Sequence, residues 1–203
     1  MSRLDRGRAA EADGDPSLPG EFVDLQTIYR GFYGNPDGPA TAPHVQADVD
    51  YAADGNSNPP AGGPHWGSGP CGSDPTAPAS SFCGPAPWGI YREPWAAETL
   101  VHNMEHAGFV IWYNTSDAVV VDELERLAEQ RLNAGQTLVL APYPDMEADH
   151  VAITSWSRID KFPVEEFEGS RIEAFIDAHL CRFDPEDFCA RVPSDTIDTF
   201  PLN

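Results

Sequence analysis

Between residues 117 and 134 the apolar positions Val121, Leu124, Leu127, Ala128 and Leu132 recur at three- and four-residue intervals, which predicts a helix with one buried stripe, closed by Gly135. Just before it, FVIWY (109–113) is an unbroken β-branched and aromatic run and predicts a buried strand. AAETLVHNMEH predicts a short helix ending near Gly108, a residue suited to a left-handed stop. TLVLAPY (137–143) and HVAITSW (150–156) predict two more strands, joined by the turn-forming PDMEAD. Ser170 and Glu173 make a capping-box pattern ahead of Ile172, Phe175, Ile176 and Leu180. The order helix, strand, helix, strand, strand, helix predicts an α+β fold, a small mixed β-sheet packed by helices. There is no internal repeat.

The N-terminal half is patterned differently. Residues 1–20 predict a solvated, disordered tail, and 21–203 a single α+β domain. Within that domain, 96–180 is the regular core and 181–203 a C-terminal extension. The segment 21–95 is rich in Gly, Pro, Asn, Ser and Asp and has little periodicity. It also carries Tyr29, Tyr33, Tyr51, Trp66, Phe82, Trp88, Tyr91 and Trp95. Disordered linkers are poor in aromatics, so this stretch is expected to pack onto the core as ordered loops.

Charge narrows the function classes. There are 33 acidic against 12 basic residues, a net charge of −21, and Lys161 is the only lysine. Such a surface repels phosphate backbones and anionic headgroups, so neither nucleic acid nor a membrane surface is an expected partner. No apolar run is long enough to span a bilayer, and the N-terminal stretch lacks the apolar core of a secretory signal. The cysteines point the other way on location. Cys71 and Cys83 flank one loop, Cys181 and Cys189 another. Two local pairs, neither of them C-x-x-C, suit short disulfides better than a zinc ribbon, with reduced thiols as the alternative. Spacing does not determine the pairing. Weighted above the missing leader, the cysteines favour an extracytoplasmic protein.

The chemistry concentrates in LVHNMEHAGFVIWY (100–113). His102 and His106, four apart on a helix, can offer two imidazoles to one ion. A third donor is available in His65, held by the Pro- and Gly-rich loop NPPAGGPHWG (58–67). With Glu105 the segment also reads H-x-x-E-H, the inverted zinc-peptidase motif in which the glutamate is the general base. The helix stops too soon after His106 for that architecture, so Glu105 reads either as a catalytic base or as a residue supporting a ligand histidine.

In order, NPPAGGPHWG, WGIY (88–91), LVHNMEHAGFVIWY, LAPYPDM (140–146) and AITSW (152–156) resemble a bacterial family known as domain of unknown function 3105. The resemblance covers roughly residues 40–180. Members commonly carry a Pro-Pro-Thr-Ser-Gly-x-His loop and a His-Asn-x-Glu-His-Gly-Gly segment, and many look exported or membrane-tethered. Here Ala61-Gly62 replaces Thr-Ser, Ala107-Gly108 replaces Gly-Gly, and residues 68–87 look like an insertion. What the resemblance implies is a site at His65, His102, Glu105 and His106, with His44 as a further family histidine. It implies no reaction.

Three imidazoles fit zinc with an open position, or copper. Met146, in the PYPDMEAD turn, is either a soft fourth donor favouring copper(I) or a core side chain. His150 and His179 read as structural, and no calcium loop is present. The leading expectation is an extracytoplasmic protein holding copper or zinc for storage, delivery or sensing. Alternatives are a metal-dependent hydrolase or copper oxidoreductase, and a metal-free, disulfide-stapled module that binds another surface or exported protein.

Overall fold

In the computed structural model the described residues are 14–29, 44–67, 84–184 and 188–189. The fold is α+β. Its strands are β1 (Glu21–Phe22), β2 (His44–Val45), β3 (His65–Trp66), β4 (Gly89–Ile90), β5 (Phe109–Asn114), β6 (Leu138–Pro142), β7 (His150–Ser155) and β8 (Arg158–Pro163). Its helices are α1 (Leu25–Ile28), α2 (Tyr51–Asp54), α3 (Ala97–Glu105), α4 (Ala118–Asn133) and α5 (Gly169–His179). Six strands form a mixed sheet in the order β1-β8-β7-β5-β6-β4, and β2 pairs with β3 in a separate parallel ribbon.

The sheet is built around β5, which pairs parallel with β6 and antiparallel with β7. Strand residues alternate between faces, and here both faces are covered. Phe109, Ile111 and Tyr113 share one apolar cluster with Leu124, Leu127 and Ala128 of α4 and Ile172, Phe175 and Ile176 of α5. Val110 and Trp112 share the other with Leu100, Val101 and Met104 of α3 and with Leu25, Tyr51 and Ala61 from the loops. Burial on both sides explains why FVIWY is apolar at every position rather than at every second one. Trp112 is wholly buried, and its indole N–H donates to Thr154 Oγ1 at 2.7 Å.

Tyr29, Tyr51 and Trp66 are buried, while Trp88, Tyr91 and Trp95 are half-buried. Tyr33 and Phe82 lie outside the described residues. Residues 14–20 run beside β8, where the Arg158 guanidinium donates to the carbonyls of Asp15 and Gly20.

Two expectations need correction. The capping box at Ser170 does not form. The chain leaves β8 through a 3₁₀ turn, Val164–Glu166, and enters α5 at Gly169 with Glu168 as N-cap and no side-chain cap bond. Leu180, counted on the buried stripe, is the C-cap and is 42% exposed. The strand β8 has no strand-like apolar pattern, because Arg158, Asp160 and Lys161 interrupt it, while Ile159 and Phe162 go to opposite faces. It is built as a tight hairpin with β7, Ser155 paired to Arg158, and Ser157 takes a left-handed φ of 66° to close the turn.

Candidate metal centre

The site hangs on α3, whose residues from Glu98 to Glu105 are all buried. The helix ends in a Schellman arrangement. The N–H of Ala107 donates to the Met104 carbonyl and that of Gly108 to the Asn103 carbonyl, both at 3.1 Å. Ala107 takes the left-handed position, φ 60°, normally filled by glycine. A Cβ there is strained, so Ala107→Gly is expected to raise the unfolding free energy by about 1 kcal/mol, read from urea denaturation. An unchanged midpoint would show that the strain is already relieved.

The second element is the 58–67 loop. Residues Ala61 to Trp66 are buried against α3 and the sheet. Backbone and side-chain bonds lock the loop: Ser157 N–H to the Ala61 carbonyl at 2.7 Å, Asn56 Nδ2 to the Gly62 carbonyl at 2.8 Å, and the Tyr51 hydroxyl to the Pro64 carbonyl at 2.6 Å. Gly63 has φ 120°, and a Cβ would lie 2.7 Å from the Tyr29 ring, so only glycine fits. The third element is β2. It pairs in parallel with β3, with His44 opposite His65. Gly67 lets the His44 ring lie close, since a Cβ there would sit 2.7 Å from its Cγ.

These three elements place His44, His65, His102 and Glu105 so that one donor atom from each lies within 4.8 Å of the others. The rings form a near-equilateral triangle, with centroids 5.0, 5.0 and 4.8 Å apart. Glu105 Oε2 stands 2.9 Å from His65 Nε2 and 3.4 Å from His44 Nε2. His65, His102 and Glu105 are almost fully buried, while the His44 side chain is 53% exposed and alone faces solvent. Donors bound tetrahedrally to one ion at about 2.1 Å stand roughly 3.4 Å apart, so a pair at the 4.8 Å limit would have to close by about 1.4 Å.

Hydrogen bonding sets the tautomers. His65 Nδ1 lies 2.8 Å from the Gly63 carbonyl and His102 Nδ1 2.7 Å from the Trp66 carbonyl. A carbonyl only accepts, so both Nδ1 atoms carry a proton; the His102 Nε2 then offers its lone pair, while the His65 Nε2 faces the Glu105 carboxylate at 2.9 Å. Burial, then the neighbouring His65 and His106, push His102 down to about 3, against the Trp66 carbonyl and Glu105. His102 is therefore neutral and ready to ligate at neutral pH. Burial also lowers His106, with Glu105 opposing it. For Glu105, burial would raise the pKa, but the hydrogen bond with His65 and the surrounding imidazoles of His65, His102 and His44 outweigh it and hold the carboxyl below its usual value.

His106 is not among the four. It is the C-cap of α3, and its ring stacks on Phe188, centroids 4.1 Å apart, while its edge meets His102. Glu105 stands instead in the group with His102, three residues back on the same face. Met146 is buried in the apolar cluster that contains Trp112 and Trp156. His150 donates through Nδ1 to the Ala148 carbonyl, and His179 through Nε2 to the Pro19 carbonyl. His44 carries no local signal of its own. Its place depends on pairing with a strand 21 residues on.

A disulfide joins Cys181 and Cys189, with Cα atoms 5.9 Å apart; Cys71 and Cys83 lie outside the described residues. The Asp184 carboxylate accepts from the N–H groups of Phe188 and Cys189. The closed loop lays Phe183 on Trp156, whose edge meets His65, and Phe188 on His106. Cys181→Ser/Cys189→Ser is expected to lower stability by roughly 2–3 kcal/mol, as for other short loops. It should also speed carbethoxylation of His106, followed by mass spectrometry. An unchanged labelling rate would mean that the loop stays seated without its crosslink.

Among the described residues, no helix is long and apolar enough to cross a membrane. Compared with known families, the model described as "Protein of unknown function (DUF3105)" matches residues 83–191, just over half of the chain. The match takes in His102, Glu105 and His106 and begins after His44 and His65. No curated protein and no solved structure matches the chain.

Proposed function

The chain belongs to the DUF3105 family, and we propose that it is a metal-binding protein holding one divalent ion between His44, His65, His102 and Glu105. One observation carries this reading. His65 uses its Nδ1–H to donate to the Gly63 carbonyl, yet its Nε2 lies 2.9 Å from a carboxylate oxygen in a buried site. Two lone pairs that close repel each other unless a cation lies between them. A proton is one such cation. A metal ion uses all four donors at once.

Three imidazoles and a carboxylate suit Zn²⁺ or Cu²⁺. A set with no sulfur among the four disfavours Cu⁺. Four protein donors fill a tetrahedral shell, which favours storage, delivery or sensing over catalysis, with Glu105 serving as ligand rather than base. The Cys181–Cys189 bond supports an oxidising, extracytoplasmic setting. A second reading, a metal-dependent hydrolase or oxidase, draws on the exposure of His44. A donor at the surface, on a two-residue strand, can yield its coordination position to substrate.

The test is elemental analysis of untagged protein, as purified and after reconstitution with Zn²⁺ or Cu²⁺. About one equivalent is expected in the native chain and in His106→Ala, and none in His65→Ala or His102→Ala. A native chain that stays metal-free after reconstitution sinks the proposal and leaves a proton between His65 and Glu105. Turnover that survives in His44→Ala with the metal retained would select the enzyme reading.

A further inference from the structure

Four imidazoles, not three, gather around the last turn of α3. The His106 ring centroid lies 4.7 Å from that of His102, as close as the three donor rings, 4.8 to 5.0 Å apart, lie to one another. Spacing puts it on the same helix face as His102. Yet His106 stands outside the donor group.

Phe188 is what lies against it. The two rings stack with centroids 4.1 Å apart and planes 16° apart. Phe188 is seated from both sides along the chain. Before it, Phe183 is 6% exposed and stacks on Trp156 at 4.8 Å, and the Asp184 carboxylate accepts the Phe188 and Cys189 N–H groups. After it, the bond to Cys181 ties down Cys189, the very next residue. A ring stack is weak beside a metal–imidazole bond. Phe188 therefore keeps His106 from an ion only while it is pinned in place. The pin is open to reagents, since Cys181 is exposed and Cys189 half-buried.

We propose that the Cys181–Cys189 bond puts the metal centre under redox control: closed, it holds His106 aside through Phe188; open, it lets His106 join the ion's ligands. The inference rests on the metal-binding reading above. Opening is thiol–disulfide exchange with a dithiol. The S–S bond breaks, two cysteine S–H groups form, and the dithiol leaves as its own disulfide, a transfer of two electrons and two protons. The donor that His106 displaces is His44, which is 53% exposed and carried on a two-residue strand.

Carbethoxylation of the full chain, read at His106 by mass spectrometry with and without one equivalent of Zn²⁺, tests it. In Cys181→Ser/Cys189→Ser, Zn²⁺ is expected to slow labelling of His106 about tenfold; in the native chain it should change the rate less than about twofold. Native chain reduced with dithiothreitol and desalted before Zn²⁺ is added should match the double variant. So should Phe188→Ala, which keeps the crosslink. His44→Ala is expected to weaken Zn²⁺ binding about tenfold in the native chain and less than about threefold in the double variant. Adding His106→Ala there should restore the tenfold loss. Zn²⁺ bound by native chain, double variant and Phe188→Ala alike, with His106 unprotected in all of them, overturns the inference and leaves the metal centre standing. Protection of His106 in the native chain also overturns it, because His106 would then be a ligand with the bond intact. A native chain that binds no Zn²⁺ removes the metal reading and this inference with it.

Discussion

Replacing His65 with alanine is expected to cost the metal-free protein about 3–5 kcal/mol, a large share of a typical domain's stability. The imidazole is wholly buried and is the 2.9 Å partner of a carboxylate that is itself 2% exposed. Its removal leaves the Glu105 charge short of a partner in a site with little water, and it also strips the Gly63 carbonyl of its donor. The loss should not come from the cavity alone. Adding Glu105→Gln to His65→Ala replaces the stranded charge with a neutral amide, so the double variant is expected to regain part of the loss. Urea denaturation of the four proteins of this cycle, in EDTA, gives the coupling. If the two substitutions simply add, the pair does not interact, and the charge argument fails.

Acidification gives the second large effect. His102 titrates at about 3 in the folded chain against an ordinary value of 6.5. A depressed histidine pKa means that the unfolded chain takes up the proton first. The stabilisation is therefore complete above pH 6.5 and drains away as the pH falls toward 3. His106 and Glu105 are lowered as well and act in the same direction, Glu105 only below its own ordinary range. For His102 alone the loss amounts to roughly 2 kcal/mol by pH 5 and about 4 kcal/mol by pH 3.5. Urea midpoints of metal-free protein at pH 7, 6 and 5 check this before most carboxylates titrate. His102→Gln, less stable at pH 7, should show a flatter profile over the same range. Equal midpoints for the native chain at pH 7 and 5 would mean that His102 is not buried neutral.

Much of the fold could be read along the chain because its causes are local. The stripe of α4, the two-faced burial of β5 and the stop after α3 each depend on residues within a few positions of one another. That His65 and His102 meet was also legible, since a Pro/Gly loop and a buried helix turn both advertise fixed geometry. The strand β8 was not, because its charged residues are satisfied by partners distant in sequence: Asp160 by Arg171, Lys161 by Glu147.

By itself, then, the sequence determined the longer helices and the apolar strands, and which side chains are available as donors. Tertiary structure decided which donors converge. On a helix, positions three and four after His102 both share its face, so spacing cannot choose between Glu105 and His106. The choice was made by the end of α3 and by Phe188, brought over His106 by the loop that the Cys181–Cys189 bond closes. His44 arrived through a two-residue parallel pairing with β3, which no local pattern encodes. Periodicity reports which way a residue faces, whereas a metal centre needs several residues to face one point, and only packing between distant segments supplies that.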